Sequence, residues 1–484
     1  MHRRRARLCG EPDGVGAMTK ESHMRGVRVT RTTPRRGARS RAVALTGAGA
    51  LLLLTGCGGG DDESASGDTL TIAVVDNGDL DTLQEMSDAF LAEHPEVEIE
   101  WVREGENELR ETVTTDVGTG AGRFDVVTVG TYEAQVWADQ ELLTPLTDMP
   151  EGFDAGAFIP EVADALTHED TLQAAPFYGE STFTMYRTDL LDEVGVEMPE
   201  RPTWDDVVAA ATAIDEQTDT AGACVRGKPG WGENAAVVTA MAHSYGARWY
   251  DEEWSPELDS DAWRQASETY LALAGMAPEG VADAGYAENL ALFQDGQCGI
   301  WVDATTAASF VTDGEASSVA DDVDFAFAPG TEAGRASNWL WAWALAVPAS
   351  SDQPELAKEF VTWATSSEYA RLVADEQGWA AVPAGNRTDL YENPDYTEAA
   401  PFADLALESI QTSQIGEPTT QPVPYVGMQY VDVPAFQSLG NAVGQQYTTA
   451  IEGELSLDEV LERSQWVADQ TIEQTRLLAE QDQD

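Results

Sequence analysis

The sequence predicts an α/β protein in which strands alternate with helices around a parallel sheet. The β-branched run TLTIAVV begins at residue 69 and is followed by a helical pattern with Leu83, Met86 and Phe90 on one face. VEIEWV is then a second strand, ELRETVTTDVGTG a second helix, and RFDVVTVG a third, apolar strand. In sheets of this kind, ligands bind beyond the carboxyl ends of the strands.

Further helices are predicted later in the chain. In PTWDDVVAAATAID, Thr203 is placed to cap the helix and Asp206 lies in its first turn. Two amphipathic helices are predicted near the C-terminus, at residues 433–452 and 456–480. The 484-residue chain is therefore long enough for two α/β domains.

The charge of the chain is divided unevenly. The first 56 residues contain 12 of the 27 Lys and Arg residues but 3 of the 86 Asp and Glu residues, which leaves about −68 on the remainder. Such an acidic surface repels nucleic acid, so no nucleic-acid partner is expected. It favours a neutral or cationic ligand, although solubility in salt is a simpler explanation of the charge.

A targeting segment is predicted at the N-terminus. The basic stretch ends at Arg41 and precedes the 13-residue run AVALTGAGALLLL, which is too short for a spanning helix of about 20 residues. LTGC, ending at Cys57, resembles the bacterial lipobox. We predict a lipoprotein signal peptide over residues 1–56, lipidation of Cys57, a linker over residues 57–67, and an anchor on the extracellular face of the cell membrane.

Two cysteines, Cys224 and Cys298, remain after the predicted leader and the lipidated residue are set aside. In an oxidising compartment they are a candidate disulfide, and two buried free thiols are the alternative. Their spacing, without neighbouring Cys or His pairs, does not indicate zinc, so no metal is predicted.

Common catalytic motifs are absent from the sequence. There is neither a GxSxG elbow nor an HExxH motif, and His94, His168 and His243 are scattered. GTGAGRF at residues 118–124 precedes a strand, whereas a dinucleotide fingerprint follows one, so this segment is predicted to end a helix. We predict no catalytic residues and no cofactor.

Aromatic residues beside carboxylates and amides recur in several segments: GTYE, APFYGESTFTMYRTDLL, RGKPGWGENAA, GIWVDATTA, NWLWAW and PVPYVG. Aromatic rings cover the C–H faces of sugars, and Asp, Glu and Asn bond their hydroxyls. In NWLWAW, Trp339, Trp341 and Trp343 alternate and would share one face of a strand. The pattern therefore indicates carbohydrate recognition.

The chain from about residue 68 to 484 resembles the extracellular solute-binding proteins of ABC importers, carbohydrate type, and most closely the sorbitol- and mannitol-binding members. PFYGESTFTMYRTDL, RGKPGWGEN, ENLALFQDGQCGIWVDAT, NWLWAWALAVP and PYVGMQY carry the resemblance. It implies a type II periplasmic-binding-protein fold with two discontinuous lobes, a hinge and a central ligand cleft. The implied limits are 68–177 with 336–381 for lobe 1, and 178–335 with 382–484 for lobe 2.

The resemblance also implies a ligand-binding set and a disulfide between Cys224 and Cys298. The set comprises Asn77, Asn107, Tyr132, Tyr178, Glu180, Lys228, Trp231, Glu233, Asp303, Asn338, Trp339, Trp341 and Tyr425. Trp339 is expected to stack on the ligand, Trp341 to contact it in part, and Trp343 to pack in the core. Ordinary alternatives are that Trp231 plugs a loop, that Asp303 caps a helix, and that Glu180 pairs with Arg187.

The implied function is that of a monomeric receptor without enzymatic activity. It would capture a neutral sugar alcohol such as sorbitol or mannitol, or a related sugar, and deliver it to the membrane subunits of an ABC permease. The residues alone leave a secreted glycoside hydrolase open, since such enzymes also place Trp beside two carboxylates. Another carbohydrate-active surface protein is a further alternative, as is a surface adhesin or a peptide-binding pair of lobes.

Overall fold

The computed structural model of the protein describes residues 68–331 and 335–481. The predicted signal peptide, the lipidated Cys57 and the predicted linker lie outside these residues. The described strands are β1 (Thr69–Val75), β2 (Glu98–Glu104), β3 (Val126–Val129), β4 (Thr167–His168), β5 (Thr171–Leu172), β6 (Ala175–Glu180), β7 (Thr182–Arg187), β8 (Ala221–Cys224), β9 (Cys298–Ala304), β10 (Val323–Phe327) and β11 (Trp341–Ala346).

Helices connect and cover these strands. They are α1 (Gly78–Glu93), α2 (Glu106–Thr119), α3 (Thr131–Asp139), α4 (Pro160–Ala165), α5 (Thr188–Val194), α6 (Trp204–Gln217), α7 (Asn234–Ser244), α8 (Asp261–Ala274), α9 (Tyr286–Gln294), α10 (Ala307–Val311), α11 (Pro354–Ala364), α12 (Ser367–Gln377), α13 (Thr388–Tyr391), α14 (Pro394–Ala399), α15 (Ala403–Gln411), α16 (Phe436–Ile451) and α17 (Leu457–Gln481).

Two main sheets form the framework, and each contains one reversed strand. The first sheet has the order β2-β1-β3-β11-β6, in which β11 runs antiparallel to both of its neighbours. The second has the order β10-β7-β9-β8, in which β7 is the reversed strand. The α/β class is confirmed, but the expected all-parallel sheet is wrong. Strand β7 follows directly after the chain leaves the first sheet, and β11 follows after it leaves the second; each runs antiparallel to its neighbours in the sheet that it joins.

The chain passes between the sheets at well-defined places. Strand β6 belongs to the first sheet and β7 to the second, with Ser181 between them. The chain returns to the first sheet in the segment between β10 and β11. The predicted lobe limit at 177/178 falls inside β6; the limits of the lobes stay a prediction.

Local sequence signals explain several helix ends. Thr203 Oγ1 accepts the backbone N–H of Asp206 at 3.2 Å, and Asp206 Oδ2 accepts that of Thr203 at 2.8 Å. This reciprocal cap begins α6 as predicted. Helix α2 ends at Gly120 in the left-handed region with φ 62°, so the glycines of GTGAGRF end a helix, also as predicted.

A disulfide joins Cys224 at the end of β8 to Cys298 at the start of β9, with a Cα–Cα distance of 5.6 Å. It fastens an edge strand of the second sheet to its neighbour. Over the described part of the chain, none of the helices has both the length and the apolar character needed to cross a membrane.

Candidate functional site

A cavity of about 180 Å³ lies between segments attached to the two sheets. The first sheet contributes the end of β1, the start of α2, the end of β6, and β11. The second contributes the loop 226–233 and the start of α9. Pockets for drug-sized ligands enclose roughly 300–1,000 Å³, so this cavity suits a single small solute.

Eight of the thirteen predicted ligand residues line this cavity. They are Asn77, Tyr178, Glu180, Lys228, Trp231, Glu233, Trp339 and Trp341. The other five, Asn107, Tyr132, Asp303, Asn338 and Tyr425, do not line it. Contact of the eight with a solute stays a prediction, and the five have partners within the protein.

Asp303 is fully buried next to Arg226, which does line the cavity. Its carboxylate accepts hydrogen bonds from Arg226 Nε at 2.9 Å and Nη2 at 2.6 Å. Trp301 Nε1 and the backbone N–H of Ala304 donate to the same carboxylate. Asp303 is therefore a positioning residue and not a wall residue. It fixes the guanidinium whose Nη1 donates to the carbonyl of Gly232 at 2.9 Å.

The two predicted tyrosines that do not line the cavity are buried in the core and hold backbone groups. Tyr132 donates its hydroxyl to the carbonyl of Val433 at 3.0 Å. Tyr425 accepts the backbone N–H of Trp249 at 3.0 Å. In the segment PYVGMQY the residue that reaches the cavity wall is Gln429, and Tyr425 faces the core instead.

The two predicted asparagines outside the wall also have protein partners. Asn107 Nδ2 donates to the carbonyl of Pro229 at 3.2 Å, which connects α2 to the loop 226–233. Asn338 Nδ2 donates to Ser413 Oγ at 3.0 Å. The resemblance implied both amides as ligand residues, but their Nδ2 groups bond to the protein instead.

An arginine occupies the centre of the tryptophan cluster. The guanidinium carbon of Arg110 lies 4.0 Å from the ring centroid of Trp231, 5.0 Å from that of Trp341 and 4.7 Å from that of Trp343. These distances fall within the roughly 6 Å of a cation–π contact. Much of the aromatic surface that suggested a sugar platform therefore faces a protein cation.

Arg110 is itself held by two carboxylates. It donates to Glu106 at 2.9 Å and pairs with Glu133. Burial disfavours its charge, yet Glu133 and Glu106 together raise the pKa of Arg110 above its ordinary value. The guanidinium is thus a fixed positive charge in the cavity wall.

Trp343 packs in the buried core as expected, and it also lines the cavity next to Trp341. Strand β11 begins at Trp341, so Trp339 precedes the strand and does not follow its alternation. The pairing of β11 with β6 also shifts register between Trp343 and Ala344. Irregularities of this kind redirect side chains at the edge of a site.

Three buried polar atoms of the wall have no hydrogen-bond partner among the described residues. They are the indole Nε1 atoms of Trp231 and Trp339 and Oε1 of Gln429. Leaving such atoms unpaired costs about 1–3 kcal/mol each. Because their residues line the cavity, we expect these two donors and one acceptor to bind the hydroxyl groups of a small solute.

Replacing Trp339 with phenylalanine is expected to weaken solute binding about five- to tenfold, because one hydrogen-bond donor is lost while an aromatic ring is kept. Titration calorimetry measures the change. Trp249→Phe is the matched control, since Trp249 Nε1 is also buried without a partner but lies outside the cavity wall. Equal affinities of the two variants would contradict a role for the Trp339 indole.

Burial raises the pKa of the Glu233 carboxyl to about 7. Glu233 lies 3.5 Å from Lys228 Nζ and 3.6 Å from Arg226 Nη1, and it accepts the backbone N–H of Tyr286 at 3.1 Å. Glu106 adds negative charge nearby and raises the pKa further. Glu233 is thus a shared counter-ion at the base of the loop 226–233.

Glu180 is buried at the end of β6, and burial raises the pKa of its carboxyl to about 8. Its Oε2 accepts the hydroxyl of Thr306 at 3.1 Å. The alternative that Glu180 pairs with Arg187 is wrong, because Arg187 pairs with Asp189. A carboxyl in this setting can accept a solute hydroxyl when ionised or donate to one when protonated.

Several wall residues were not predicted from the sequence: Asp76, Glu106, Arg110, Arg226, Tyr286, Glu288 and Gln429. Arg226 and Gln429 lie in RGKPGWGEN and PYVGMQY, two of the segments that carry the family resemblance. Glu106 and Arg110 are on an amphipathic helix and carry no local signal that separates them from surface charges. The described residues contain no group of three or more His, Cys, Asp or Glu side chains that could hold a metal ion.

Comparison with protein families identifies the class of this site. Residues 77–371 match the family described as bacterial extracellular solute-binding protein. The chain is 44% identical over 400 residues to a protein named mannitol-binding protein from Pseudomonas aeruginosa, covering 82% of this chain and 92% of that protein.

Solved structures agree in fold. One of them is a solute-binding protein of an ABC transporter from Agrobacterium vitis S4 with bound D-mannitol. It is 47% identical to this chain, with a TM-score of 0.83, and the match covers 84% of this chain and 99% of that chain. Maltose-bound MalE3 of T. maritima is 22% identical, with a TM-score of 0.72 over 83% and 98% of the two chains, and shows the fold alone.

The predicted two-lobed periplasmic-binding-protein fold is confirmed by these similarities. The expectation of a binding protein that is not an enzyme agrees with what these relatives are. With 295 of its residues spanned by the family match and a relative at 44% identity, the chain belongs to the bacterial extracellular solute-binding protein family.

Proposed function

We propose that the protein captures D-mannitol or a closely related hexitol and delivers it to the permease of an ABC importer. The observation that carries the proposal is the cavity itself, which is small and is lined by aromatic rings next to carboxyl, amide and cationic side chains. Hexitols present hydroxyls on every carbon and need many such partners. The 47% identical structure with bound D-mannitol supports the same class of solute.

Three further parts of the proposal concern location and partners. The lipobox at residues 54–57 supports attachment of Cys57 to the outer face of the cell membrane through acyl chains. Membership in the solute-binding family supports delivery of the solute to permease subunits, and we propose that the receptor acts as a monomer. Feeding cells a labelled fatty acid should label the wild-type protein and not a Cys57→Ala variant, and a wild-type protein that took up no label would contradict the anchor.

Calorimetric titration of the purified protein with D-mannitol tests the main proposal. D-sorbitol, D-arabitol, maltose and trehalose serve as comparisons for stereochemistry, chain length and ring size. A thermal-shift assay gives an independent reading, because a ligand at one hundred times its Kd stabilises the folded state by about 2.7 kcal/mol. Binding of maltose or trehalose with no response to any hexitol would refute the proposed solute class.

A further inference from the structure

Acidic residues outnumber basic residues in the cavity wall. The five carboxylates are Asp76, Glu106, Glu180, Glu233 and Glu288, and the three cations are Arg110, Arg226 and Lys228. A neutral hexitol brings no charge to offset the difference. Once Glu233 and Glu180, whose pKa values are raised to about 7 and about 8, are both ionised, the wall favours solutes that carry some positive charge.

Both wall arginines are already occupied by carboxylates of the protein. Arg110 lies 2.9 Å from Glu106 and also pairs with Glu133. Arg226 makes a two-pronged pair with Asp303, with its shorter bond at 2.6 Å. The charge of each guanidinium is therefore shared between a wall carboxylate and one outside the wall: Arg110 pairs with Glu106 and Glu133, and Arg226 pairs with Asp303 and lies 3.6 Å from Glu233.

The two buried carboxyls of the wall, Glu233 and Glu180, differ in whether a cation of the protein lies near them. Glu233 has Lys228 Nζ at 3.5 Å and Arg226 Nη1 at 3.6 Å. Glu180 is 7% exposed, and no cation of the described chain lies within ion-pair distance of it. Among the described residues, the carboxyl of Glu180 accepts one hydrogen bond, from Thr306 to Oε2, which leaves Oε1 for a solute. A buried carboxylate without a counter-ion is costly, and a cation supplied by a ligand would remove that cost.

We propose that the cavity also takes polyols in which one hydroxyl is replaced by a primary amine, with the ammonium group paired to Glu180. The inference rests on the proposed function, because the remaining hydroxyls would use the same wall as a hexitol. An ammonium group is close in size to a hydroxyl and donates three hydrogen bonds. The rings of Tyr178 and Tyr286 also line this part of the cavity and can face a cation.

The surroundings of Glu180 set the pH dependence of such binding. Arg226 lowers the pKa of its carboxyl, Asp303 and Glu106 raise it, and the neighbouring hydroxyls are those of Tyr178 and Tyr286. The net result is a pKa of about 8 without ligand, dominated by burial. Below that pH an ammonium ion must displace the proton of Glu180, so amine affinity should rise with pH until the carboxyl is ionised.

Calorimetric titration with 1-amino-1-deoxy-D-mannitol and with D-mannitol at several pH values tests the inference. The amine should gain up to about tenfold in affinity per pH unit between pH 6 and 8, and should bind about tenfold more tightly than mannitol near pH 8. Proton release on amine binding, measured in two buffers of different ionisation enthalpy, should accompany this change below pH 8. These measurements need no variant.

Glu180→Gln should abolish both the preference for the amine over mannitol and its pH dependence. Glu193→Gln is the matched control, because it makes the same substitution at an exposed carboxylate of α5 outside the cavity wall and should leave the preference in place. Tight mannitol binding with weaker amine binding at every pH would overturn this inference and leave the proposed function standing. Failure of both ligands to bind would overturn both.

Discussion

Replacing Arg226 with methionine is expected to lower the free energy of unfolding by about 3–5 kcal/mol and to abolish solute binding. The reason is that Asp303, which is fully buried, would lose its counter-ion while its charge stayed in the core. The guanidinium also holds the carbonyl of Gly232 at 2.9 Å, so the loop 226–233 would lose its support at the cavity. Chemical denaturation and calorimetric titration measure the two effects separately.

Two control variants separate charge burial from a general effect of losing arginine. Arg371→Met removes a pair with Asp375 in which both side chains are about two-thirds exposed, and it should cost less than about 1 kcal/mol. Combining Arg226→Met with Asp303→Asn removes both buried charges and should recover part of the stability without restoring binding. A single Arg226 variant as stable as the Arg371 control would refute the assigned role of the pair.

Replacing Cys224 and Cys298 together with alanine is expected to cost roughly 4 kcal/mol of stability in the chain-entropy description, given their separation of 74 residues. The disulfide connects the edge strand β8 to β9, and the segment between them contains the loop 226–233 and the start of α9. Thermal unfolding measures the loss. The loss in binding free energy should be smaller than the loss in free energy of unfolding, since the cysteines do not line the cavity.

Reduction of the unmodified protein provides the control for this substitution. Adding a thiol reductant before unfolding should lower the melting temperature of the wild-type protein and leave that of the alanine variant unchanged. A wild-type protein whose stability does not respond to reduction under denaturing conditions would show that the bridge contributes little. Cys224→Ala alone should lower stability nearly as much as the double change, because either substitution opens the ring.

Secondary structure was predictable because its signals are local. The cap at Thr203, the glycine stop at Gly120 and the apolar strand β1 each depend on residues within a few positions of one another. The reversed strands were not predictable from alternation, since β11 joins the first sheet about 200 residues after β3. Strand order of that kind depends on packing between distant segments.

The site was predictable in its segments but only in part in its residues. Resemblance to a family located the loop 226–233 and the stretch before β11, and eight of thirteen chosen side chains line the cavity. Asp303 and Tyr425 have the chemistry of ligand contacts, but their polar groups are occupied by Arg226 and Trp249. Arg110 was missed because a guanidinium among three indoles is a product of tertiary packing and leaves no pattern in the local sequence.

The position of Arg110 also has a spectroscopic consequence. Trp231 belongs to the loop 226–233 that follows β8, whereas Trp341 and Trp343 belong to β11, and one guanidinium lies within 5.0 Å of all three ring centroids. Indole emission responds to nearby charge and to hydration. Any displacement of the loop from β11 would change the surroundings of several indoles together and so change the intrinsic tryptophan fluorescence. Binding kinetics can therefore be followed by stopped-flow fluorescence without an added label.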